Sequence, residues 1–511
     1  MSATLHSTTS PYVTAVPARI CAPTRLEERA LRSARTPTTR CGVGAGNASR
    51  AVAHGPLAEA GALAVAGICG GLDPDLRTGD VVVADRLIRD GQTTVSLPSA
   101  RMLAARLRRE GLRVHVGAIA GVDHVAQGAE REELHAQGAL AVDMESAWLV
   151  TVDRPAAVVR VVADTADRPV LRPATLRSVR SALATLRRIG PALDEWAAAV
   201  APSRTVLLAE PRSFCAGVDR AIEVVERALE LRGAPVYVRK QIVHNRHVVD
   251  NLERRGAVFV EDLDEVPEGA TVVFSAHGVS PAVRERAGAR ELDVIDATCP
   301  LVSKVHSEVR RFSDRGDTVI FIGHAGHEET EGTMGERPQR TVLVENAEDA
   351  SRVEIEDPEH VSYLVQTTLS VREVDEIVEV LRNRFPKLKA PASDDICYAT
   401  TNRQEALTTV ATESDVVLVV GSQNSSNSQR LVETSRRLGT QAYLVDDVDD
   451  VELGWLAGAT TVGLTAGASA PQALVDELVD AVGGLGSVEV HTRHLVTEDV
   501  QFTLPKEVRT A

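Results

Sequence analysis

From residue 204 onward one pattern of apolar and polar positions recurs. Four or five apolar residues run into a short cluster of Gly, Ser, Thr or His, and then apolar residues return every third or fourth position. The instances are TVVFSAHGVS at 271–280, DVIDATCPLV at 293–302, TVIFIGHAGH at 318–327, SYLVQTTLS at 362–370, VVLVVGSQNSSNS at 416–428 and TVGLTAGASAP at 461–471. A short apolar run predicts a buried strand, and the three-to-four spacing predicts a helix. Each instance is therefore a strand–loop–helix step, and the repetition predicts α/β architecture with largely parallel sheets. The first half alternates in the same way. Residues 175–200 (TLRSVRSALATLRRIGPALDEWAAAV) have helical periodicity, Ala201-Pro-Ser-Arg breaks it, and Thr205-Val-Leu-Leu-Ala opens a new strand. The boundary falls at 200–204, giving domains at 25–200 and 204–511. The first 24 residues hold Ser, Thr and Pro without a continuous apolar stretch and read as a disordered leader, not a secretory signal.

The repeated strand ends point to anion binding. In open parallel sheets ligands sit beyond the carboxyl ends of the strands, where the next helix presents unpaired N–H groups and the positive end of its dipole. Ser, Thr and Asn at such places are also the ordinary helix caps. One cluster alone is explained by capping, whereas six with the same bias fit a shared polyanionic ligand.

Composition narrows the field. A formal charge of −16 opposes a broad nucleic-acid footprint, which needs a basic face. No apolar run is long enough to span a bilayer. The six cysteines, Cys21, Cys41, Cys69, Cys215, Cys299 and Cys397, lie far apart, which is no disulfide framework and suits a reducing cytoplasm.

Three of these cysteines share a setting. Cys215 (RSFCAGVDRA), Cys299 (DATCPLV) and Cys397 (DDICYATTNRQEA) each stand at a strand-to-helix transition. A single Cys is most often a small buried hydrophobe, but three at equivalent turns read as convergent ligands. Close Cys pairs of the structural-zinc kind are absent among them. A catalytic zinc on three thiolates and a 4Fe–4S cluster with one iron free of protein ligands both remain open.

The motifs carry more. CAGV at 215–218, IVHN at 242–245, SAHGV at 275–279, DATCPLV at 296–302, GHAGHEETEGTMG at 323–335, QTTLSV at 366–371, DDICYATTNRQEA at 394–406, GSQNSSNS at 421–428 and TAGASAP at 465–471 stand in this order, with FTLP at 502–505 in the tail. This set resembles the 4-hydroxy-3-methylbut-2-enyl diphosphate reductase family. The resemblance implies three similar α/β units around a central cavity, with a 4Fe–4S cluster on Cys215, Cys299 and Cys397. It also implies reductive removal of the substrate hydroxyl as water, giving isopentenyl and dimethylallyl diphosphates in the last step of the non-mevalonate isoprenoid route. Glu329 would be the proton donor, relayed through Thr367 and Thr368. His244, His277, His327, Ser425, Ser426, Asn427 and Ser469 would hold the diphosphate, with ferredoxin or flavodoxin as electron donor. Glu328 reads as an exposed helix residue and His324 as structural.

The first half has other landmarks: RLEERAL at 25–31, CGVGAGNASRAV at 41–52, GICGGLDPDLRTGDVVVAD at 67–85, AVDMESAWL at 141–149 and AVVRVVADTAD at 157–167. These resemble the nucleoside phosphorylase and nucleosidase superfamily, so the chain reads as a fusion. The resemblance implies that Gly42 and Gly44 approach a phosphate or ribose and that Gly67, Gly70 and Gly71 shape the nucleoside pocket. Met144 and Glu145 would meet the ribose, Asp164 would protonate the leaving purine, and Glu28 would activate water. Fusion to an isoprenoid enzyme points to adenosyl-linked hopanoids as one substrate. A degenerate pocket kept for packing is the other reading.

Overall fold

The computed structural model describes residues 16–165 and 175–509. The chain forms two compact units. Of the described residues, one comprises those up to 206 with 447–462 and 476–491, and the other those of 207–446, 463–475 and 492–509. No helix among the described residues is long and apolar enough to cross a membrane.

The first unit is built on an eight-stranded sheet. Its spine is the strand Ala62–Gly71, which pairs in parallel with Ala18–Ala22 and Ala156–Asp164 and antiparallel with Ala139–Asp143. The strand Val81–Arg89 likewise has neighbours of both senses. The sheet is thus mixed, where the sequence pattern predicts mainly parallel pairing. Residues 18–22 correct the expected leader. They form a sheet strand in which Ile20, Cys21 and Ala22 are fully buried. Their signal is weak because ARICA is short and holds an arginine; the strand is fixed by neighbours on both sides. The rest of the expected leader, residues 1–15, lies outside the described residues. The helix expected at 175–200 is two, Thr175–Leu186 and Gly190–Ala199. Pro191 opens the second, a place where its missing N–H costs nothing.

The second unit draws on three further sheets. One has four parallel strands in the order 257–260, 236–239, 271–274, 293–296, and one has three parallel strands in the order 341–344, 318–322, 361–365. The third has five, in the order 441–445, 416–420, 461–466, 203–210, 487–494. All six strands expected from the repeated pattern are present. The strand Val416–Val420 is buried at every position, as a parallel strand covered on both faces must be. Aromatics make up only 3% of the chain, so the cores are Val, Leu, Ile and Ala packed against one another.

Candidate functional site

Each of the three cysteines is the first cap of a helix. Cys215 precedes Ala216–Arg232, Cys299 precedes Pro300–Asp314 and Cys397 precedes Tyr398–Ala411. Each thiol therefore stands beside the free N–H groups at the start of the helix it opens, and Cys397 accepts from one of them. The Thr400 N–H donates to Cys397 Sγ at 3.3 Å. All three line one cavity, together with His244, His277, His327, Glu329, Thr367, Thr368, Ser425, Ser426, Asn427 and Ser469. Gly217 sits at the convergence. A Cβ there would stand 2.7 Å from Cys299 Sγ and 3.8 Å from Cys215 Sγ, so any larger residue would displace the Cys299 thiol.

The thiols are placed against their own electrostatics. Burial pushes Cys215 up. Burial and then the charge of Cys215 push Cys299 up to about 12 and Cys397 to about 11. The helix-start N–H groups pull the other way without prevailing. Three thiolates lining one cavity would repel one another, and a bound cation or cluster both neutralises such a set and holds coordinating thiols deprotonated. The donor set therefore fits a metal centre on three sulfurs.

Behind the cysteines lies Arg403, fully buried on the helix after Cys397. It donates to the carbonyl oxygens of Ser213 at 2.7 Å and Phe214 at 3.1 Å, directly before Cys215, and it pairs with Glu498. One guanidinium thus ties the Cys215 turn, the Cys397 helix and the C-terminal tail together.

The second wall is a cluster of imidazoles. His244 and His277 stack with centroids 4.1 Å apart, and His327 meets both edge-on at 5.3 and 5.8 Å. Burial, then the charge of His277, lowers His327 to about 3 and drives His244 further down. His244 Nε2 and Ser426 Oγ are buried and have no hydrogen-bond partner. Ser425 caps the helix Ser426–Arg437, and Asn427 bridges Thr400 and the N–H of Ala468. Ser469 Oγ donates to the His244 carbonyl at 3.0 Å. This wall thus combines three imidazoles with the hydroxyls of Ser425, Ser426 and Ser469.

Between the two walls stands Glu329, 1% exposed. Burial raises its carboxyl, while the N–H and hydroxyl of Thr367 lower it less. Glu328 departs from the exposed residue expected. It turns inward and pairs with His277 Nδ1 at 3.2 Å, because the helix Glu328–Met334 begins at the cavity edge. Burial alone would raise it, but His277 and Lys240 hold it below the usual carboxylate range. His324 does not line the cavity; Arg430 donates to its Nε2 at 2.6 Å.

A separate pocket of about 220 Å³ opens in the first unit, lined by Met144, Glu145, Asp164, Gly70 and Glu27 among others. Arg160 is fully buried beneath it and pairs with Asp143 at 2.6 Å and Glu145 at 3.3 Å. The Gly44 N–H donates to Glu145 Oε1 at 2.9 Å, and Gly44 needs its φ of +90° to open the helix Ala45–Ala53 there. Gly42 lies against Asn47, Gly67 against Arg160 and Glu27, and Gly71 against Val162, so of these four only Gly44 touches a pocket acid through its own N–H. Burial raises Asp164, with Arg131 opposing.

Glu28 is a correction. It does not line this pocket, whereas its neighbour Glu27 does, 2% exposed, with Oε1 accepting the Ile68 N–H at 2.8 Å. The missed signal was the capping box Thr24–Glu27, which fixes which of two adjacent acids turns inward.

Comparison with known proteins gives two family matches: the model of the LytB protein family to residues 206–483, and that of the Phosphorylase superfamily to residues 38–190. The 4-hydroxy-3-methylbut-2-enyl diphosphate reductase 2 of Mycobacterium bovis is 58% identical over 325 residues, which is 63% of this chain and 98% of that protein. The corresponding reductase of Cronobacter sakazakii is 54% identical over 307 residues, 60% of this chain and 97% of that protein. Among solved structures, the E-1-hydroxy-2-methyl-but-2-enyl-4-diphosphate reductase from Plasmodium falciparum aligns with a TM-score of 0.58 and 39% identity, over 60% of this chain and 97% of that one.

Proposed function

The chain belongs to the LytB protein family, and on that premise we propose how its second unit performs the reaction of that family. It is an oxidoreductase that converts 4-hydroxy-3-methylbut-2-enyl diphosphate to isopentenyl and dimethylallyl diphosphates, the last step of the non-mevalonate route. The family's members are iron–sulfur proteins, and Cys215, Cys299 and Cys397 are the ligands of a 4Fe–4S cluster here. Bound there, a cluster would pass electrons from the donor one at a time and offer a Lewis-acidic iron to the substrate oxygen. Small redox proteins of the ferredoxin or flavodoxin class bring the electrons. Six free cysteines and no disulfide among the described residues support a cytoplasmic setting.

The protein's own groups do the rest. His244, His277, His327, Ser425, Ser426, Asn427 and Ser469 bind the diphosphate, and the orphaned His244 Nε2 and Ser426 Oγ gain acceptors when it enters. Hydroxide leaves poorly, so a proton must reach the departing oxygen. Glu329 is the donor of that proton, its carboxyl raised by burial against the opposing pull of Thr367, and Thr367 and Thr368 orient the hydroxyl toward it. The hydroxyl leaves as water, consuming two electrons and two protons in all.

The observation that carries this reading is the single cavity joining three cysteines, three histidines and one buried glutamic acid. Anaerobic turnover of the hydroxylated diphosphate with a chemical reductant tests it. Both isomeric diphosphates should form, and H244N or H277N should raise KM more than it lowers kcat. An unchanged KM in both variants would remove the histidines from diphosphate binding.

The first unit favours a second reading, cleavage of a nucleoside N-ribosidic bond. Its pocket is lined by three buried acids, Asp164, Glu145 and Glu27, and in this reading they protonate the leaving base, accept from the ribose and activate water respectively. Release of free base from nucleosides, lost in D164A, tests this reading.

A further inference from the structure

The first unit's pocket holds a cation that N-ribosidic cleavage does not by itself require. Arg131, on the helix Ala129–Ala136, is 7% exposed. Its Nη1 donates to Asp164 Oδ2 at 2.6 Å and its Nη2 to the Gly71 carbonyl at 2.5 Å. Its Nε is buried and has no hydrogen-bond partner. Gly70 makes room for it: a Cβ there would stand 3.2 Å from Nη1 and 3.3 Å from Nη2, tighter than most real contacts. A guanidinium has five N–H donors and no acceptor. Arg131 lines the pocket, and each Nη carries a second N–H beyond the bond named above.

Resting on the nucleoside reading above, we propose that this pocket selects 6-oxopurine over 6-aminopurine nucleosides, with Arg131 as the residue that discriminates. The outer edge of a purine offers N7 as an acceptor and, beside it, either an oxo acceptor or an amino donor at position 6. Asp164 and Arg131 stand side by side, so a base that meets the Asp164 carboxyl with N7 brings its 6-substituent to the guanidinium. An oxo group accepts from Arg131. An amino group sets donor against donor and gives the guanidinium's remaining N–H no acceptor on the base, the kind of mismatch that buried polar sites reject. Arg160, the other buried arginine beside the pocket, already faces Asp143 and Glu145, so it does not offset the mismatch. An adenosyl-linked substrate falls on the disfavoured side.

The test uses the full chain with inosine, guanosine and adenosine, reading free base by chromatography and binding by calorimetry. Inosine and guanosine should be preferred over adenosine by roughly 10-fold or more, the scale of one well-paired base contact. R131M should lose that preference. Equal or better use of adenosine by the unaltered chain overturns the proposal, as does an R131M chain that keeps the preference. If R131M does not fold, the ratio in the unaltered chain decides by itself. Failure of all three nucleosides to bind or react overturns the nucleoside reading itself, a result distinct from a wrong preference.

Discussion

Thr367 holds Glu329 at both carboxyl oxygens: its N–H donates to Oε1 at 2.7 Å and its hydroxyl to Oε2 at 3.0 Å. The two donors favour the ionised form and complete burial favours the protonated one, and burial prevails. The carboxyl is thus poised to give up a proton when charge develops next to it, with Thr367 ready to receive the carboxylate.

Replacing Glu329 by Gln should lower kcat by about 10²- to 10⁴-fold, the usual worth of a placed proton donor. KM and iron content should stay close to the parent values. Because the carboxyl is raised, its protonated fraction falls as pH rises through the raised value, so turnover should decline on the alkaline side. Rate–pH profiles of the parent and of E329Q check this, and the alkaline limb should be absent from the variant. A profile shared by both would assign the limb to another group.

The imidazole wall makes a thermodynamic prediction. His244 and His327 are held neutral by burial in the free protein, well below the ordinary histidine range. A diphosphate brings negative charge against them and favours their protonated forms. Binding should therefore take up protons at neutral pH, and the calorimetric enthalpy should vary with the ionisation heat of the buffer. H244N should reduce that uptake.

The path from sequence to site was legible where local pattern and chemistry coincide. The strand–cluster–helix repeat located six strands and placed His277, Glu329, Thr367 and Ser425 at their ends, because parallel strands deliver their ligands there. Spacing could not say which metal the cysteines hold, since that depends on how far apart the sulfurs stand after folding. Glu328 and Glu27 show the same limit. Adjacent acids on a helix point in different directions, and only the cap and the packing decide which one is buried. The strand Ala18–Ala22 was hidden because its burial comes from neighbours remote in sequence. Arg131 was invisible for a related reason: its partner Asp164 lies 33 residues away.

Arg403 should matter for the metal centre without touching it. R403M removes the donors to Ser213 and Phe214 and leaves Glu498 without this partner. Breaking one partner of a buried pair costs about 3–5 kcal/mol. Thermal melts should shift down, and iron should be lost faster to a chelator than from the parent. A variant with parental melting and iron retention would reduce Arg403 to a bystander.

In the first unit, E27Q and E28Q should separate cleanly. Glu27 is buried against the Ile68 N–H at the pocket, whereas Glu28 lies outside it. Nucleoside cleavage should fall by about 10²-fold or more in E27Q, as for loss of a general base, and stay near the parent rate in E28Q. The reverse order would return the role to Glu28.

The central claim is that Cys215, Cys299 and Cys397 hold one iron–sulfur cluster at the floor of the diphosphate cavity. Mössbauer spectroscopy of the whole chain, purified without oxygen and compared with C299S, tests it most directly. A brown protein with a 4Fe–4S spectrum that C299S loses is expected. A colourless protein carrying stoichiometric zinc after anaerobic reconstitution, or a spectrum unchanged in C299S, would contradict it.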